Sequence, residues 1–555
     1  MEPGQKTGGA GGQAVQSEGR VLVIGLDGAT WDLLRPWAEE GYLPNLQALM
    51  KAGAWGILRS TIPPSTPPAW TSFATGKNPG KHGIFDFHQF QVAGAPLTLI
   101  NSYSIRAPTL WHILSRQGRR VGCINIPVTY PAQLVNGFLI SGMMTPGLEA
   151  DWIYPPELGR RLLDAIGEYV IDIEAQSYHI ETQEDALRFL AEVLHAFRQR
   201  RDALYFLLDH EPWDLLIAVF ILPDRIQHKL WKYLDPGCTH YAQPEGQVIR
   251  EAALRCYREM DEMLGVLGAR LRGKDYLCLM SDHGFGPLDG YFDLNAWLAR
   301  HGVLCFKPLG VSRLKGWLRP LIPEGVLRYW RWHKARHRSL FNPQPRRRID
   351  WTRTWAYFSS PLEQGVRLCT QTGGETRSEM LAHLLKVMGA LRHPTDGQPL
   401  IDQVYQREEI YHGPWTGLAA DLLISARNYR YLGISGSAAG GPIIHQAEDA
   451  QGFHRPDGLF LVHGPGIRAG SVTDGAHITD VAPTILYLLQ EQIPDDMDGQ
   501  VMRNCFDPAH LETFPPCYRR AEPYDFRQES SFAYSDEDAA EITSRLEGLG
   551  YLDPG

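Results

Sequence analysis

The sequence predicts an α/β fold in which a doubly wound, mostly parallel sheet carries helices on both faces. Three short apolar runs, at residues 21–26, 215–220 and 276–280, have the length and composition of strands buried on both sides. Each run is followed within a few residues by an aspartate. Because open α/β sheets bind ligands where their parallel strands end, these aspartates predict a functional site at that edge.

Asp27 follows the first run and is itself followed by Gly28. A buried parallel strand in this position delivers the Asp27 carboxylate to the carboxyl edge of the sheet. An aspartate directly after a strand is also typical of a helix cap, so this segment alone does not distinguish a ligand from a cap.

The second segment predicts a helix that begins at Thr66. Two prolines at 67 and 68 fit a first helical turn, and Gly76 fits the position after the last turn. Free amides and the positive end of the helix dipole at such a terminus stabilise a phosphate and the alkoxide that attacks it. The alternative is an ordinary hydroxyl cap, and Ser65 is a chemically equivalent neighbour.

Two further segments pair an aspartate with a histidine. Asp224 and His228 lie four residues apart where a helix is expected to start, so they share one face and can grip a cation, although such a pair also stabilises a helix. Asp282 and His283 are adjacent and followed by glycine, which permits the dihedral angles that aim two neighbouring side chains at one point. His454 precedes another apolar strand.

Together these segments predict the two-metal site of a phosphoryl-transfer enzyme. His445 competes for the last position, but the glycine at 452 and the Pro-Asp-Gly turn at 456–458 favour His454. His82 is predicted to be a structural, hydrogen-bonding histidine. The predicted site consists of Asp27, Thr66, Asp224, His228, Asp282, His283 and His454.

The order and spacing of these motifs resemble the alkaline phosphatase superfamily, and within it the type I phosphodiesterase/nucleotide pyrophosphatase branch. The resemblance runs from about residue 20 to about residue 510. It is carried by residues 25–28, 64–70, 75–84, 223–224, 228, 281–284, 454 and 478–486.

The resemblance implies an alkaline phosphatase-like fold and two divalent metal ions, with zinc as the usual occupant and manganese also accepted. It assigns Asp224, His228 and His454 to one ion. It assigns Asp27, Asp282, His283 and the Thr66 oxygen to the other. Register with the family's Thr-x-Pro pattern selects Thr66 over Ser65 as the nucleophile, which implies a covalent phospho-threonine intermediate.

The substrate class is less sharply predicted. Sulfatases of the same fold carry an arginine where this chain has Ala69, which argues against sulfate esters. Members that act on nucleotides often place an asparagine where residues 85–88 read Phe-Asp-Phe-His, so the leaving group stays open. Asn125 is a candidate substrate-binding residue, with an ordinary turn asparagine as the alternative.

The function predicted from these features is metal-dependent hydrolysis of phosphate diesters, nucleotide-type diesters included, through the phospho-threonine. A phosphomonoesterase or a phosphomutase of the same superfamily is the first alternative. Transfer of phospho-alcohol head groups is a second enzyme alternative. A non-catalytic binding protein that retains the fold is the last.

Composition narrows the class of protein and of partner. The chain has 555 residues, of which 44% are hydrophobic, and a net charge of −9, which favours a small phosphorylated substrate over a nucleic-acid polymer. Eight scattered cysteines without a CxxC pair predict reduced thiols and a cytoplasmic location. No signal-peptide pattern and no transmembrane segment are recognised. Homo-oligomerisation stays open.

The chain is predicted to divide into three parts. Residues 1–19 are predicted as a disordered tail, residues 20–515 as the catalytic domain, and residues 516–555 as a C-terminal extension. Within the catalytic domain, residues 301–356 are predicted to form a basic, tryptophan-rich, cap-like insert. A cap over the site, a docking surface for an acidic partner or a membrane, and helices that pack their aromatic residues on the core are the alternatives for it, and the last is favoured. The extension is expected to contain a terminal helix from about Ser535 to Tyr551, docked on the body or on a second subunit.

Overall fold

The structure is a computed structural model and describes residues 19–89, 98–149, 151–173, 179–307, 349–369, 376–435, 442–447, 451–523 and 532–551. The strands are β1 (Val21–Leu26), β2 (Ala54–Arg59), β3 (His88–Gln89), β4 (Thr98–Leu99), β5 (Val121–Ile126), β6 (Gly137–Ser141), β7 (Ile153–Tyr154), β8 (Leu215–Phe220), β9 (Tyr276–Met280), β10 (Gly284–Pro287), β11 (Gly290–Asp293), β12 (Ala356–Phe358), β13 (Gly365–Leu368), β14 (Gln403–Gln406), β15 (Leu422–Ser425), β16 (Tyr431–Ile434), β17 (Ile444–Gln446), β18 (Gly452–Arg455), β19 (Asp457–His463), β20 (Ser471–His477), β21 (Ile493–Pro494) and β22 (Tyr518–Arg519). The α-helices are α1 (Trp31–Glu39), α2 (Pro44–Ala52), α3 (Thr66–Thr75), α4 (Pro79–His82), α5 (Leu110–Arg116), α6 (Pro156–Ile166), α7 (Gln183–His210), α8 (Leu222–Leu234), α9 (Pro244–Arg270), α10 (Leu294–Arg300), α11 (Arg377–Gly389), α12 (Arg407–Ile410), α13 (Val481–Leu488), α14 (Pro508–Thr513) and α15 (Asp536–Leu549).

A nine-stranded sheet with the order β20-β2-β19-β9-β1-β8-β5-β6-β7 forms the centre of the fold. Strand β1 lies between β8 and β9 and is parallel to both. Within this sheet, β19 and β7 run against the direction of their neighbours. The prediction of a mostly parallel α/β sheet is therefore confirmed.

Helices cover both faces of this sheet. Successive side chains of a strand point to opposite faces, and β1 follows this rule. Val21 and Val23 join a core that includes α3, α5 and α13. Leu22 and Ile24 join the larger core that includes α1, α2, α7, α8 and α9. Burial on both faces explains why these strands are apolar throughout.

A smaller unit with its own hydrophobic core lies between β10 and β18 in the chain. It contains two small sheets, with the orders β12-β13-β15-β14 and β16-β11-β17, together with α10 and α11. Most of the predicted insert at 301–356 lies outside the described residues, as do residues 1–18 of the predicted tail. The described ends of that insert join this smaller core through a bridge between Phe306 and Ile349.

The C-terminal helix α15 packs on the body of the same chain. Its apolar residues Ile542, Leu546 and Leu549 are buried in the larger core. The sequence left open whether this helix docks on the body or on a second subunit, and these contacts lie within one chain. Among the described helices, none has both the length and the apolar character needed to cross a membrane.

Candidate active site

Three carboxylates meet because three neighbouring parallel strands end at the same edge of the sheet. Asp27 follows β1, Asp282 follows β9 by two residues, and Asp224 lies in the first turn of α8, which follows β8. Gly28 donates its N–H to Asp282 Oδ1 at 3.1 Å. The strands on which the fold prediction rests thus bring the predicted acids together.

Gly28 has a φ of +65° and a crowded environment. A Cβ at this position would lie 2.8 Å from the Phe285 ring and 3.2 Å from the Asp224 Cα. A side chain here would therefore strain the backbone and push two elements of the site apart.

The first candidate metal group consists of Asp224, His228 and His454, whose potential ligand atoms all lie within 4.8 Å of one another. His228 Nε2 is 3.3 Å and His454 Nε2 is 3.6 Å from Asp224 Oδ1. His454 Nδ1 lies 3.1 Å from the Pro64 carbonyl oxygen. A proton on Nδ1 would be donated to this carbonyl, and Nε2 would then be the ligand atom that a metal could bind.

The second candidate group consists of Asp27, Asp224 and His283. His283 Nε2 is 3.8 Å from Asp27 Oδ1, 3.2 Å from Asp282 Oδ2 and 3.4 Å from Thr66 Oγ1. The structure therefore brings all seven predicted residues together. Asp224 belongs to both groups, whereas the resemblance assigned it to one ion only.

The charges of this cluster fit divalent cations. Asp27 Oδ1 and Asp282 Oδ2 are buried and have no hydrogen-bond partner in the described part of the chain. Burial, followed by repulsion from Asp224, raises the pKa of Asp27 to about 8. Burial also lowers the pKa of His228 to about 4, although Asp224 opposes this shift, so the imidazole stays neutral. Neutral imidazoles and unpaired carboxylates are a donor set for zinc or manganese.

Helix α3 begins at Thr66 and ends before Gly76, which adopts a left-handed φ of 66°, as the sequence predicts. Thr66 and Ser65 are both buried, and Ser65 Oγ has no hydrogen-bond partner among the described residues. Prolines at 67 and 68 carry no N–H, so this terminus offers a phosphate fewer amide donors than the prediction assumed. Trp70 ties the helix to the site by donating its Nε1–H to Asp27 Oδ2 at 3.1 Å.

Arg225 and Asp172 support the cluster, and the sequence reasoning missed both. Arg225 Nη1 donates to Asp224 Oδ2, and Arg225 Nη2 donates to Asp172 Oδ2 at 2.6 Å. All three side chains are buried. Arg225 directly follows Asp224 in the sequence, and this position is a local signal that could have identified it as a partner of the carboxylate. Asp172 comes from a distant loop that carries no recognisable signal.

Tyr551 is a further residue that the sequence reasoning did not place in the site. Its hydroxyl lies 3.2 Å from each of the two Asp224 carboxylate oxygens. The prediction treated it only as the end of the terminal helix.

The competing histidines lie elsewhere. His445 is exposed in β17, where it pairs with Tyr291 of β11. His82 is buried, lies 3.0 Å from Ser72 Oγ through Nε2 and accepts the Ile84 N–H through Nδ1. These contacts agree with the structural, hydrogen-bonding role predicted for His82.

Asn125 lies near the end of β5, the strand next to β8. It has a positive φ of 60°, and its Oδ1 accepts a hydrogen bond from the Tyr169 hydroxyl. Its Nδ2 is buried and has no partner among the described residues. A buried amide donor is therefore available at the same edge of the sheet as the carboxylates.

Asp86 stands in the stretch 85–88, where an asparagine is common in members of the branch that act on nucleotides. Its side chain is buried, and Oδ2 accepts a hydrogen bond from the Ser360 hydroxyl. Burial raises the pKa of Asp86 from 3.8 to about 7. The carboxyl thus takes up a proton on folding at mildly acidic pH.

Replacing Asp86 by asparagine is expected to stabilise the protein more at pH 8 than at pH 5. Between about pH 4 and pH 7 the unfolded chain binds fewer protons at this position than the folded chain, so the stability of the wild type falls as the pH rises. The asparagine removes this loss, which amounts to ~4 kcal/mol or less at pH 8. Urea unfolding of both proteins at the two pH values measures the effect, and an equal difference at both would contradict it.

The chain matches a known protein family in sequence. The family model described as type I phosphodiesterase/nucleotide pyrophosphatase matches residues 21–436. No curated protein matches the chain in sequence.

Two solved structures illustrate the likeness. Phosphonoacetate hydrolase from Sinorhizobium meliloti 1021, in complex with phosphonoacetate, is similar with a TM-score of 0.51 and 15% identity, over 85% of this chain and 95% of that chain. An inactive variant of murine ectonucleotide pyrophosphatase/phosphodiesterase 5, in complex with AMP, has a TM-score of 0.47 and 15% identity, over 86% of this chain and 96% of that chain. The first likeness shows the alkaline phosphatase-like fold that the resemblance implied. With the family match over most of its length, the chain is a phosphoric ester hydrolase that belongs to the type I phosphodiesterase/nucleotide pyrophosphatase family.

Proposed function

We propose that the protein hydrolyses phosphate diesters, nucleotide-type diesters included, with two divalent metal ions and a covalent intermediate on Thr66. One observation carries the proposal. Three buried carboxylates and three imidazoles converge beside the Thr66 hydroxyl, and two of the carboxylate oxygens have no hydrogen-bond partner in the described structure.

Asp224, His228 and His454 would hold one ion, and Asp27, Asp282, His283 and the Thr66 oxygen would hold the other. Zinc suits this donor set best, and manganese is also accepted. When bound, the two cations supply charge that stabilises the attacking hydroxyl oxygen, the phosphate oxygens and the leaving oxygen. Asp224 lies between the two groups and can contact either ion.

Thr66 acts as the nucleophile in this proposal. Its Oγ1 attacks phosphorus while the bond from phosphorus to the leaving alcohol breaks, and the alcohol carries away the hydroxyl proton. Water then attacks the phospho-threonine, releases a phosphate monoester and restores the hydroxyl. Burial of Thr66 at the start of α3 keeps the oxygen in one place for both steps.

The surrounding residues orient these groups. Trp70 holds Asp27, and Arg225 holds Asp224 while Asp172 neutralises the guanidinium. The unpaired Asn125 Nδ2 is the donor that we assign to a non-reacting phosphate oxygen. All eight cysteines are free thiols, which supports the cytoplasmic location that we propose.

Chelator treatment and metal reloading test this function. We expect chelator-treated protein to lose hydrolysis of bis-p-nitrophenyl phosphate and to regain it with Zn²⁺ or Mn²⁺, because the carboxylate cluster cannot stabilise a phosphate without cations. p-Nitrophenyl phosphate, assayed in parallel, is expected to turn over more slowly. A preference for this monoester would assign a phosphatase or mutase instead, and turnover that survives the chelator would remove the metals from the mechanism.

A further inference from the structure

The Tyr551 side chain contacts three proposed metal ligands of the site, namely Asp224, His228 and His454. It is fully buried, and its hydroxyl lies 3.2 Å from Asp224 Oδ1 and 3.2 Å from Asp224 Oδ2. The phenol therefore contacts the one carboxylate that belongs to both candidate metal groups of the described structure.

The ring of Tyr551 is fixed among aromatic side chains of the site. It meets His228 edge-on at 5.3 Å and His454 edge-on at 5.6 Å between ring centroids. On another side it stacks on Phe87 at 5.6 Å. These contacts hold the hydroxyl in one direction, because a ring packed against three others has little freedom to rotate.

The end of helix α15 turns the chain so that Tyr551 enters the site. Gly550 adopts a left-handed φ of +82°, the Gly550 N–H donates to Glu547 and the Tyr551 N–H donates to the Leu546 carbonyl at 2.9 Å. This pattern is a Schellman motif, in which glycine is strongly favoured at the left-handed position. The turn is therefore encoded in the sequence at residue 550.

Hydrogen bonds from three polar side chains attach the same segment to the body near the site. Arg545 donates to the carbonyls of Thr145 and Pro146 at 2.8 and 2.7 Å. The Tyr534 hydroxyl donates to the Met144 carbonyl at 3.0 Å. Lys229, the residue after His228 in α8, donates to the Gly548 carbonyl at 2.9 Å. The helix that carries two proposed ligands is thus joined directly to the end of α15.

A carboxylate that ligates a metal keeps its orientation through hydrogen bonds from its surroundings, and loss of such a bond typically weakens metal binding 10- to 100-fold. Arg225 supplies one donor to Asp224 on the Oδ2 side. The Tyr551 hydroxyl supplies a second donor that adds no charge and that reaches the oxygen facing His228 and His454.

We infer that Tyr551 is a positioning residue of the active site, which holds the Asp224 carboxylate in the direction of the metal bound by Asp224, His228 and His454. The inference rests on the proposed function. It makes the C-terminal segment 532–551 part of the catalytic unit and gives a reason for the dense contacts that anchor it.

The test compares Tyr551→Phe with Tyr534→Phe. Each substitution removes one hydroxyl from the same segment, but only the first hydroxyl contacts Asp224. In Zn²⁺ and Mn²⁺ titrations of chelator-treated protein, we expect Tyr551→Phe to bind metal about 10- to 100-fold more weakly and Tyr534→Phe to bind as the wild type does. With bis-p-nitrophenyl phosphate at saturating metal, Tyr551→Phe is expected to lower kcat more than it raises KM. Both metal-free variants are expected to melt somewhat below the wild type, because each loses the hydrogen bonds of one hydroxyl.

Two results would overturn the inference. Wild-type metal affinity in Tyr551→Phe would show that Tyr551 only packs against its neighbours and does not position Asp224. A higher kcat/KM in this variant would show that the phenol blocks the site instead of ordering it. Failure of this inference can be told apart from failure of the proposed function, because the metal titration needs no substrate. A wild type that binds metal but cleaves no diester would refute the proposed function and leave the inference about Tyr551 standing.

Discussion

Thr66→Ala is expected to lower kcat for diester hydrolysis by on the order of 10⁴-fold or more, because it removes the atom that forms the covalent intermediate. The Thr66 hydroxyl is buried at the start of α3 and lies 3.4 Å from His283 Nε2. Alanine is tolerated in the first turn of a helix, so the fold should survive. Steady-state kinetics with bis-p-nitrophenyl phosphate measure the loss, and circular dichroism checks the fold.

Ser65→Ala is the matched control for Thr66→Ala. The two residues are neighbours, both are buried, and each substitution removes one hydroxyl. Ser65 Oγ has no hydrogen-bond partner among the described residues, whereas Thr66 Oγ1 contacts the cluster. We therefore expect Ser65→Ala to retain most of the activity. The reverse result, an active Thr66→Ala and an inactive Ser65→Ala, would make Ser65 the nucleophile.

The second large effect is expected from Asp224→Asn. Asp224 is the one residue that both candidate metal groups share in the described structure, so its loss should weaken both ions. Removing one partner from a buried charge cluster costs about 3–5 kcal/mol, which corresponds to roughly 10²- to 10⁴-fold in metal affinity. Competition with a chromophoric chelator measures this affinity directly, and kcat is expected to fall in parallel.

Asp172→Asn controls for the loss of a buried carboxylate that contacts Arg225. Asp172 binds the same guanidinium as Asp224 but belongs to neither metal group. This variant is expected to lose stability and to keep most of its metal affinity. If both variants lost metal affinity equally, the Arg225 ion pairs would determine binding, and the assignment of Asp224 as a shared ligand would be wrong.

Much of this site could be predicted because local patterns encode its strand ends. The apolar runs before Asp27, Asp224 and Asp282 determine three adjacent strands, and the parallel arrangement brings the acids to one edge. The prolines and glycine around α3 fix the place of Thr66 in the same local way. Such signals lie within a dozen residues and do not depend on the rest of the chain.

Contacts that cross long stretches of chain could not be predicted. Asp172 reaches Arg225 from the segment between α6 and α7, and Tyr551 reaches Asp224 from beyond the family match. An aspartate in a turn and a tyrosine at the end of a terminal helix are both common, so neither residue carries a sequence signal of a functional role. The smaller core between β10 and β18 was missed for a related reason, since its strands are short and its pairings, such as Tyr291 with Leu432, join distant residues.

The placement of β1 in the sheet has a consequence for how the protein reaches its native state. Val21 pairs with Leu215 on one side and with Tyr276 on the other, so the central strand gains both neighbours only after long loops have closed. Folding through such distant pairings is slow, and partly folded chains keep the three site carboxylates apart. Metal ions would then bind only the completed sheet. Bound metal would lower the unfolding rate and so lengthen the lifetime of the folded protein. It would have little influence on the folding rate of the sheet.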